Sequence, residues 1–365
     1  MFVFSIEQRH VTNSSFQKIG LKILKIKNRT ISSKDAPLII AELGINHGGN
    51  FSVAEKMVKK AAEKGCEVIK HQTHFIDDEM TPDAKQIMPP NADVSIWDVM
   101  EKCALTRDEE INLKKIVEDL GMIYISTPFS RSAADFLNDI NVPAFKIGSG
   151  ECDNLLLVEH IAKFGKPIIL STGMQDISSV KKPVEILEKH SIKYALLECT
   201  NIYPCPPEEI ALGSLAQLSH EFPKAQIGFS DHSIGPTMSL AAVALGATII
   251  EKHFTDTKDR KGPDISCSMD PDELEHLIKK SKDIAYARDR KKFIADIEKD
   301  VYKFARSSVV TDKDLKKGDT IDRQNIWARR PGDGEIPAFE FEKVLGKTLK
   351  RDIAKNNQIK WSDLE

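Results

Sequence analysis

Between residues 37 and 255 the chain repeats one pattern eight times: a short run rich in Ile, Leu, Val or Phe, cut off by polar or glycine residues, then a segment with helical spacing. The runs are PLIIAELG from Pro37, VIKHQTH from Val68, MIYISTP from Met122, AFKIGSG from Ala144, PIILSTG from Pro167, YALLECT from Tyr194, QIGFSDH from Gln226 and IIEKHFT from Ile249. Parallel strands covered by helices read as continuous apolar runs, so the expected fold class is α/β, a (β/α)8 TIM barrel. The alternative, an open doubly wound sheet, would carry fewer strands and a G-x-G-x-x-G turn after the first of them. Here that turn reads Gly44-Ile45-Asn46-His47-Gly48-Gly49.

Amphipathic segments fit between the runs. In residues 53–64, Val53, Met57, Val58, Ala61 and Ala62 form an apolar stripe, with Ser52 as the expected cap. The longest gap separates the second and third runs, and its polar, proline-bearing start, residues 75–90, reads as a substrate-covering loop. After Lys292 the pattern gives way to short runs with turn signals, a small unit near the lower limit for independent folding. The expected divisions are an N-terminal arm and hairpin over 1–36, the barrel over 37–285, a linker over 286–300 and a second domain over 301–365. Within the first 35 residues Arg9, Lys18, Lys22, Lys25, Lys27, Arg29 and Lys34 outnumber Glu7 and Asp35, which reads as a solvated arm.

A net charge of −3 lacks the concentrated basic surface that coating a phosphate backbone requires, which argues against a nucleic-acid partner. Six scattered cysteines form no C-x-x-C pair and no disulfide framework, as expected of a reducing, cytoplasmic setting. No apolar run approaches the about 20 residues of a membrane span, and the start reads as no signal peptide, so no membrane partner is expected.

In a barrel, side chains at the C-terminal strand ends share one cavity. The polar residues there are Glu42, Lys70, Gln72, Thr127, Lys146, Ser149, Glu151, Ser171, Thr172, Asn201, Ser230, Asp231, His232, Lys252 and His253. Strand ends are polar in any fold, yet Lys70, Lys146 and Lys252 interrupt the apolar runs themselves, where an unpaired ammonium costs several kcal/mol. Two lysines with Ser149, Ser171, Thr172 and Ser230 suit a multiply charged anion, most simply a phosphate with a carboxylate. The glycines of Gly148-Ser149-Gly150 allow close backbone approach, although such a triplet by itself marks only a turn. His232 and His253 end neighbouring runs and, with Glu42 and Asp264 available, suit a divalent first-row metal with open positions; two structural or general-base histidines remain the alternative. No cysteine adjoins either, which disfavours a closed zinc site.

Glu42-Leu43-Gly44-Ile45-Asn46-His47, Lys70-His71-Gln72-Thr73-His74, Ser126-Thr127-Pro128-Phe129-Ser130, Lys146-Ile147-Gly148-Ser149-Gly150-Glu151, Cys199-Thr200-Asn201-Ile202-Tyr203-Pro204 and Gly262-Pro263-Asp264 closely resemble the bacterial sialic acid synthase family, with its legionaminic and pseudaminic relatives. The likeness runs from about residue 25 to the C-terminus. Leu315-Lys316-Lys317-Gly318-Asp319 and Ala328-Arg329-Arg330-Pro331-Gly332 resemble that family's antifreeze-like SAF domain, a β-clip. The resemblance implies an N-acetylneuraminate synthase activity, condensing phosphoenolpyruvate with N-acetylmannosamine and water to N-acetylneuraminate and phosphate. The implied alternative is a legionaminic acid synthase acting on 2,4-diacetamido-2,4,6-trideoxymannose, and the Lys70-His71-Gln72-Thr73-His74 stretch is similar to those two branches more than to the pseudaminic one.

By matching positions, the resemblance implies that Lys70, Thr127, Lys146, Ser149, Ser171 and Ser230 hold phosphoenolpyruvate. It implies that His232 and His253 ligate a divalent metal, Mn2+ with Mg2+ or Co2+ as substitutes. Glu42, Gln72, Asn201, Tyr203 and Asp264 would meet the sugar or its metal-bound water; Glu151 would move a proton at the attacking water, with Glu42 and Lys70 also in the catalytic set. It further implies a domain-swapped homodimer in which Arg330 reaches the partner's sugar. Two rivals stand beside this: a Schiff-base aldolase on Lys70, Lys146 or Lys252, and a non-catalytic carbohydrate- or ice-binding protein, which leaves those lysines and histidines without purpose.

Overall fold

The computed structural model describes residues 22–89 and 92–365. It divides into a unit ending at Arg290 and a second unit, Lys291–Glu365. Arg9, Lys18 and Glu7 of the expected arm lie outside the described residues.

A short hairpin, β1 (Leu24–Ile26) and β2 (Arg29–Ile31), precedes eight strands: β3 (Leu38–Glu42), β4 (Val68–Thr73), β5 (Ile123–Pro128), β6 (Phe145–Ile147), β7 (Ile168–Ser171), β8 (Tyr194–Cys199), β9 (Gln226–Asp231) and β10 (Ile249–His253). These eight close into a barrel in the order β10-β3-β4-β5-β6-β7-β8-β9, and each starts within one or two residues of an apolar run seen in the sequence. β10 pairs in parallel with both β3 and β9, so the last strand shuts the ring.

Side chains of successive strand residues point to opposite faces. Leu38 and Ile40, Val68, Ile123 and Ile125, Ala144, Ile169, Ala195, Leu197 and Ile249 pack inside the barrel with Leu24, Ile26 and Ile31 of the hairpin. The residues between them, among them Ile39, Ile69, Tyr124, Phe145, Leu170, Leu196, Phe229 and Ile250, face the helices in a second layer. The hairpin therefore fills the N-terminal end of the barrel. Two of its charges are paired, Lys27 with Glu118 at 3.0 Å and Arg29 with Glu67 at 2.8 Å, while Lys25 stays exposed, so the basic stretch is in part a paired hairpin where its composition suggested a solvated arm.

The first barrel helix, Phe51–Glu63, is capped by Asn50, whose side chain accepts from the Val53 N–H, and not by Ser52, which lies inside the first turn. The long β4–β5 excursion carries helices Ile76–Glu79 and Ile96–Cys103 before helix Arg107–Asp119 returns to β5. The last helix of the unit runs Pro271–Arg288, three residues beyond the expected barrel boundary, and a short helix, Lys299–Ala305, spans the expected junction of linker and second domain at 300/301. The second unit pairs β11 (Ser308–Thr311) with β12 (Ile326–Arg329) over a core of its own that includes Val309, Leu315, Ile336, Leu349 and Ile359. Among the described residues no helix is long and apolar enough to cross a membrane. All six cysteines are free and buried.

The alternation corrects one group of expected cavity residues. Lys252 and Asp231 fall on the outward parity of β10 and β9 and pair with each other at 3.2 Å, both fully buried. Asp231 also accepts from the Ser233 N–H, the Ser233 hydroxyl and the Ser239 hydroxyl. Thr172 donates its hydroxyl to the Leu197 carbonyl at 3.0 Å and is likewise spent on the scaffold. Because removing one partner of a buried pair strands the other charge, Lys252→Met should cost about 3–5 kcal/mol of stability. A urea titration of the full chain checks it, and an unchanged midpoint would show that Asp231 is already satisfied by its hydroxyl and amide donors.

Candidate active site

The inward parity that is apolar at the hairpin end turns polar toward the C-terminal ends of the strands. There β3 contributes Glu42, β4 Lys70 and Gln72, β6 Lys146, β7 Ser171, β8 Cys199, β9 Ser230 and β10 Glu251 and His253, all lining a cleft of about 120 Å³. Gly148, Ser149, Gly150, Asn201, Tyr203 and His232 join them from the loops just beyond. Thr127 does not line the cleft but stands behind it, accepting from Lys70 Nζ at 3.1 Å.

Lys70 Nζ lies 2.7 Å from Glu42 Oε2, and Lys146 Nζ donates to Ser171 Oγ at 2.7 Å and to the Ile147 carbonyl at 2.9 Å. Between the two ammoniums sits Glu251, 4.0 Å from Lys70 and 3.8 Å from Lys146, and it accepts from the Ser230 hydroxyl at 3.0 Å. Sequence reading passed over Glu251. The available signal was parity: it precedes His253 by two residues on one strand and so faces the same way.

Burial pushes the Glu251 carboxyl up, but Lys146 and Lys70 outweigh it and hold it below its ordinary value. Burial raises Glu42, with Lys70 offsetting only part. Burial also lowers Lys146, incompletely countered by Glu251, whereas Glu251 and Glu42 overcome the burial of Lys70 and hold it above its usual range. Two lysines and two glutamates thus share one interior without excess charge, and a multiply charged anion would find two ammoniums, Ser149, Ser171 and Ser230 within one cradle.

Gly173 makes that cradle possible. A Cβ at this position would fall 2.0 Å from Asn201 Oδ1 and 2.7 Å from Ser149 Oγ, and its N–H donates to Ser149 Oγ at 3.1 Å. Only a residue without a side chain lets these two cleft groups approach.

His232 and His253 lie side by side with ring centroids 5.6 Å apart, and the Tyr203 ring lies tilted against His232 at 4.0 Å. His232 donates its Nδ1–H to the Thr200 carbonyl at 2.7 Å, which leaves Nε2 as a free lone pair. His253 Nδ1 is buried without a hydrogen-bond partner, with Asp264 Oδ2 3.8 Å away. Burial, partly opposed by the Thr200 bond, brings His232 down to about 4, and burial together with His232 holds His253 well below its ordinary value. Both rings are therefore neutral donors of electron pairs, which is the form that binds a metal. Among the described residues no three His, Cys, Asp or Glu side chains gather as a metal site, so the two imidazoles would be the protein's main ligands, with the remaining positions open. Burial, then the charge of Glu42, pushes Asp264 up to about 7.

Beyond Gln72, Tyr203 and His253 the cleft opens into a chamber of about 210 Å³ walled by Ile45, Ala92, Ile96, Val99 and Met100, with Asp264 on its polar side. Ala92, Ile96, Val99 and Met100 of this wall come from the later part of the β4–β5 excursion; among the described residues of 75–90, the stretch expected to cover the substrate, Pro89 alone joins the lining. Glu151 is not in the lining: it ends the turn Ser149–Glu151, half-buried, and accepts from Asn154 Nδ2 at 2.6 Å. Arg330 belongs to the second unit, where it borders a separate cleft with Arg329, Arg351 and Lys360.

Comparison with known proteins agrees with this assembly. The NeuB family model matches residues 57–293, and the SAF domain model matches residues 306–365. The chain is 36% identical to the N,N'-diacetyllegionaminic acid synthase of Campylobacter jejuni over 331 residues, covering 88% of this chain and 98% of that one. It is 33% identical to the human N-acetylneuraminate-9-phosphate synthase over 256 residues, 69% of this chain and 71% of that one. The crystal structure of the N-acetylneuraminic acid synthetase of Leptospira borgpetersenii superposes with a TM-score of 0.71 at 28% identity, covering 77% of this chain and 95% of that one. A closed eight-stranded barrel with a C-terminal SAF domain, matched by these models and relatives, places this chain in the NeuB family of nonulosonic acid synthases.

Proposed function

We propose that this protein condenses phosphoenolpyruvate with an N-acylated mannosamine, N-acetylmannosamine in the first instance, and water, giving a nine-carbon 2-keto acid and phosphate. The observation that carries the reading is the cradle of Lys70, Lys146, Ser149, Ser171 and Ser230 directly beside two neutral, neighbouring imidazoles. The second sugar weighed, 2,4-diacetamido-2,4,6-trideoxymannose, is favoured by the identity to the Campylobacter jejuni legionaminic acid synthase.

In this reading Lys70, Lys146 and the three serines, with Thr127 orienting Lys70, hold the phosphate and carboxylate of phosphoenolpyruvate. Glu42, Gln72, Asn201, Tyr203 and Asp264 hold the open-chain sugar with its aldehyde toward His232 and His253. A divalent ion held by those histidines, Mn2+ or a similar metal, would polarise the aldehyde oxygen. C3 of phosphoenolpyruvate bonds to the aldehyde carbon, whose oxygen becomes a hydroxyl by taking a proton. The positive charge left at C2 is stabilised by the surrounding carboxylates as water adds. Glu151, next to the cleft-lining Gly150, takes the proton of that water, and Glu42 and Lys70 hold or move protons at the new hydroxyl. Collapse of the tetrahedral carbon breaks its bond to the phosphate oxygen and leaves the ketone. The chain acts in the cytoplasm as a domain-swapped homodimer, with Arg330 of one copy meeting the N-acyl group held by another.

The Schiff-base rival narrows to Lys146. Lys252 faces away from the cleft and Lys70 is held charged, whereas burial lowers Lys146. Mass spectrometry of products from phosphoenolpyruvate, Mn2+ and a panel of hexosamines tests the proposal: a nine-carbon acid with stoichiometric phosphate supports it, and a borohydride-trapped pyruvate adduct on Lys146 overturns it.

Chelation should abolish turnover, and His232→Ala or His253→Ala should lower it by about 100-fold or more; full activity of both variants in chelator would rule out the metal. Gly173→Ala should displace Asn201 and Ser149 and raise the KM for phosphoenolpyruvate by about tenfold or more, with the thermal midpoint changed far less. Mixing inactive Glu151→Gln and Arg330→Ala proteins under subunit exchange should restore part of the activity, as one site of each mixed dimer keeps both residues. Exchange without recovery would remove Arg330 from the shared site.

A further inference from the structure

The stretch Lys70-His71-Gln72-Thr73-His74 supplies two residues to the proposed reaction and leaves its histidines without a part in it. His74 lies just past the end of β4, its side chain 1% exposed and its ring stacked on Phe129 at 4.5 Å. Nδ1 stands 2.8 Å from Glu79 Oε2 and Nε2 stands 3.2 Å from Gln72 Oε1. On its other edge the Gln72 amide donates through Nε2 to Glu42 Oε1 at 3.0 Å.

These contacts determine one another. With Lys70 against the other Glu42 oxygen at 2.7 Å, the oxygen facing Gln72 is an acceptor, so the amide turns its NH2 toward Glu42 and its oxygen toward His74. His74 then faces an acceptor at each ring nitrogen, a carboxylate and an amide oxygen. Only a ring that carries a proton on both nitrogens donates to both. The chain of bonds runs from Glu79, on the short helix after the strand, through His74 and Gln72 to Glu42 and Lys70 at the cleft.

We infer that His74 is a positioning residue: buried between Glu79 and Gln72 and donating to both, it holds the Gln72 amide oxygen away from the cleft, so that Gln72 meets the acceptor sugar through its NH2 edge as a donor. The part concerning the sugar rests on the proposed function; the part concerning His74 does not. Without the histidine the amide oxygen loses its partner, and the orientation of Gln72 is left to the Glu42 contact alone.

The test has two arms. In the first, full-length protein labelled with 15N in its histidine rings is examined by NMR at neutral pH, the His74 signals being identified by their shift in Glu79→Gln. Protons on both ring nitrogens support the inference, and a His74 ring carrying one proton overturns it. In the second, His74→Phe, which keeps the ring stack and removes both donors, should raise the KM for N-acetylmannosamine by about tenfold while the KM for phosphoenolpyruvate changes by less than about twofold. The same substitution made in Gln72→Ala should add nothing, because its effect passes through Gln72. Equal changes in both KM values, or effects that simply multiply in the double variant, would reduce His74 to a packing role and overturn the inference. If the unmodified protein turns over no sugar of the panel, the proposed reaction falls and the labelled ring still decides the role of His74.

Discussion

Four charges enclosed in one barrel govern the chemistry of this molecule. Lys70 and Lys146 cannot stay charged in so buried an interior unless Glu42 and Glu251 stand beside them, and those glutamates need the lysines equally. The compensation is internal to the cleft. An incoming anion therefore competes with carboxylates already in place, and binding must rearrange existing partnerships as well as create new ones. Strand parity delivers this arrangement: register sets Glu42 beside Lys70, while Lys252 and Asp231, one residue out of phase, neutralise each other behind the barrel wall.

The fold was legible because every strand of a helix-covered barrel is apolar on both faces, and eight such runs can hardly be mistaken. The polar ends of the strands were legible as a set but not residue by residue. A list of strand-end residues that ignores alternation admits Asp231, Lys252 and Thr172, which serve the scaffold, and omits Glu251, which serves the cleft. Composition misled at the hairpin, where Lys27 and Arg29 looked like free charges; their partners Glu118 and Glu67 are remote in sequence, and no local pattern announces them. The cap of the first helix was misplaced by two residues because Asn50 and Ser52 are both good caps and only backbone geometry chooses between them.

The second unit shows how a small domain manages with few strands. Its two-stranded pairing is too short to hold a fold, yet isolated bridges such as Leu315–Ile353, Thr320–Thr348 and Leu349–Leu364 fasten loops across a compact core. Arg351 grips Asp363 through two nitrogens near the chain end, a bidentate contact that keeps the C-terminal segment in register.

The hairpin at the foot of the barrel gives the cavity a floor. Leu24, Ile26 and Ile31 stop the lower end, and the cleft opens upward beside Gln72 and Tyr203. Gln72 sits two residues further along β4 than Lys70, one interior layer nearer the opening. Whatever occupies the lysine cradle is therefore roofed by whatever occupies the layer above. In the proposed reaction the occupant of the lysine layer would board before the one that covers it and would leave after it.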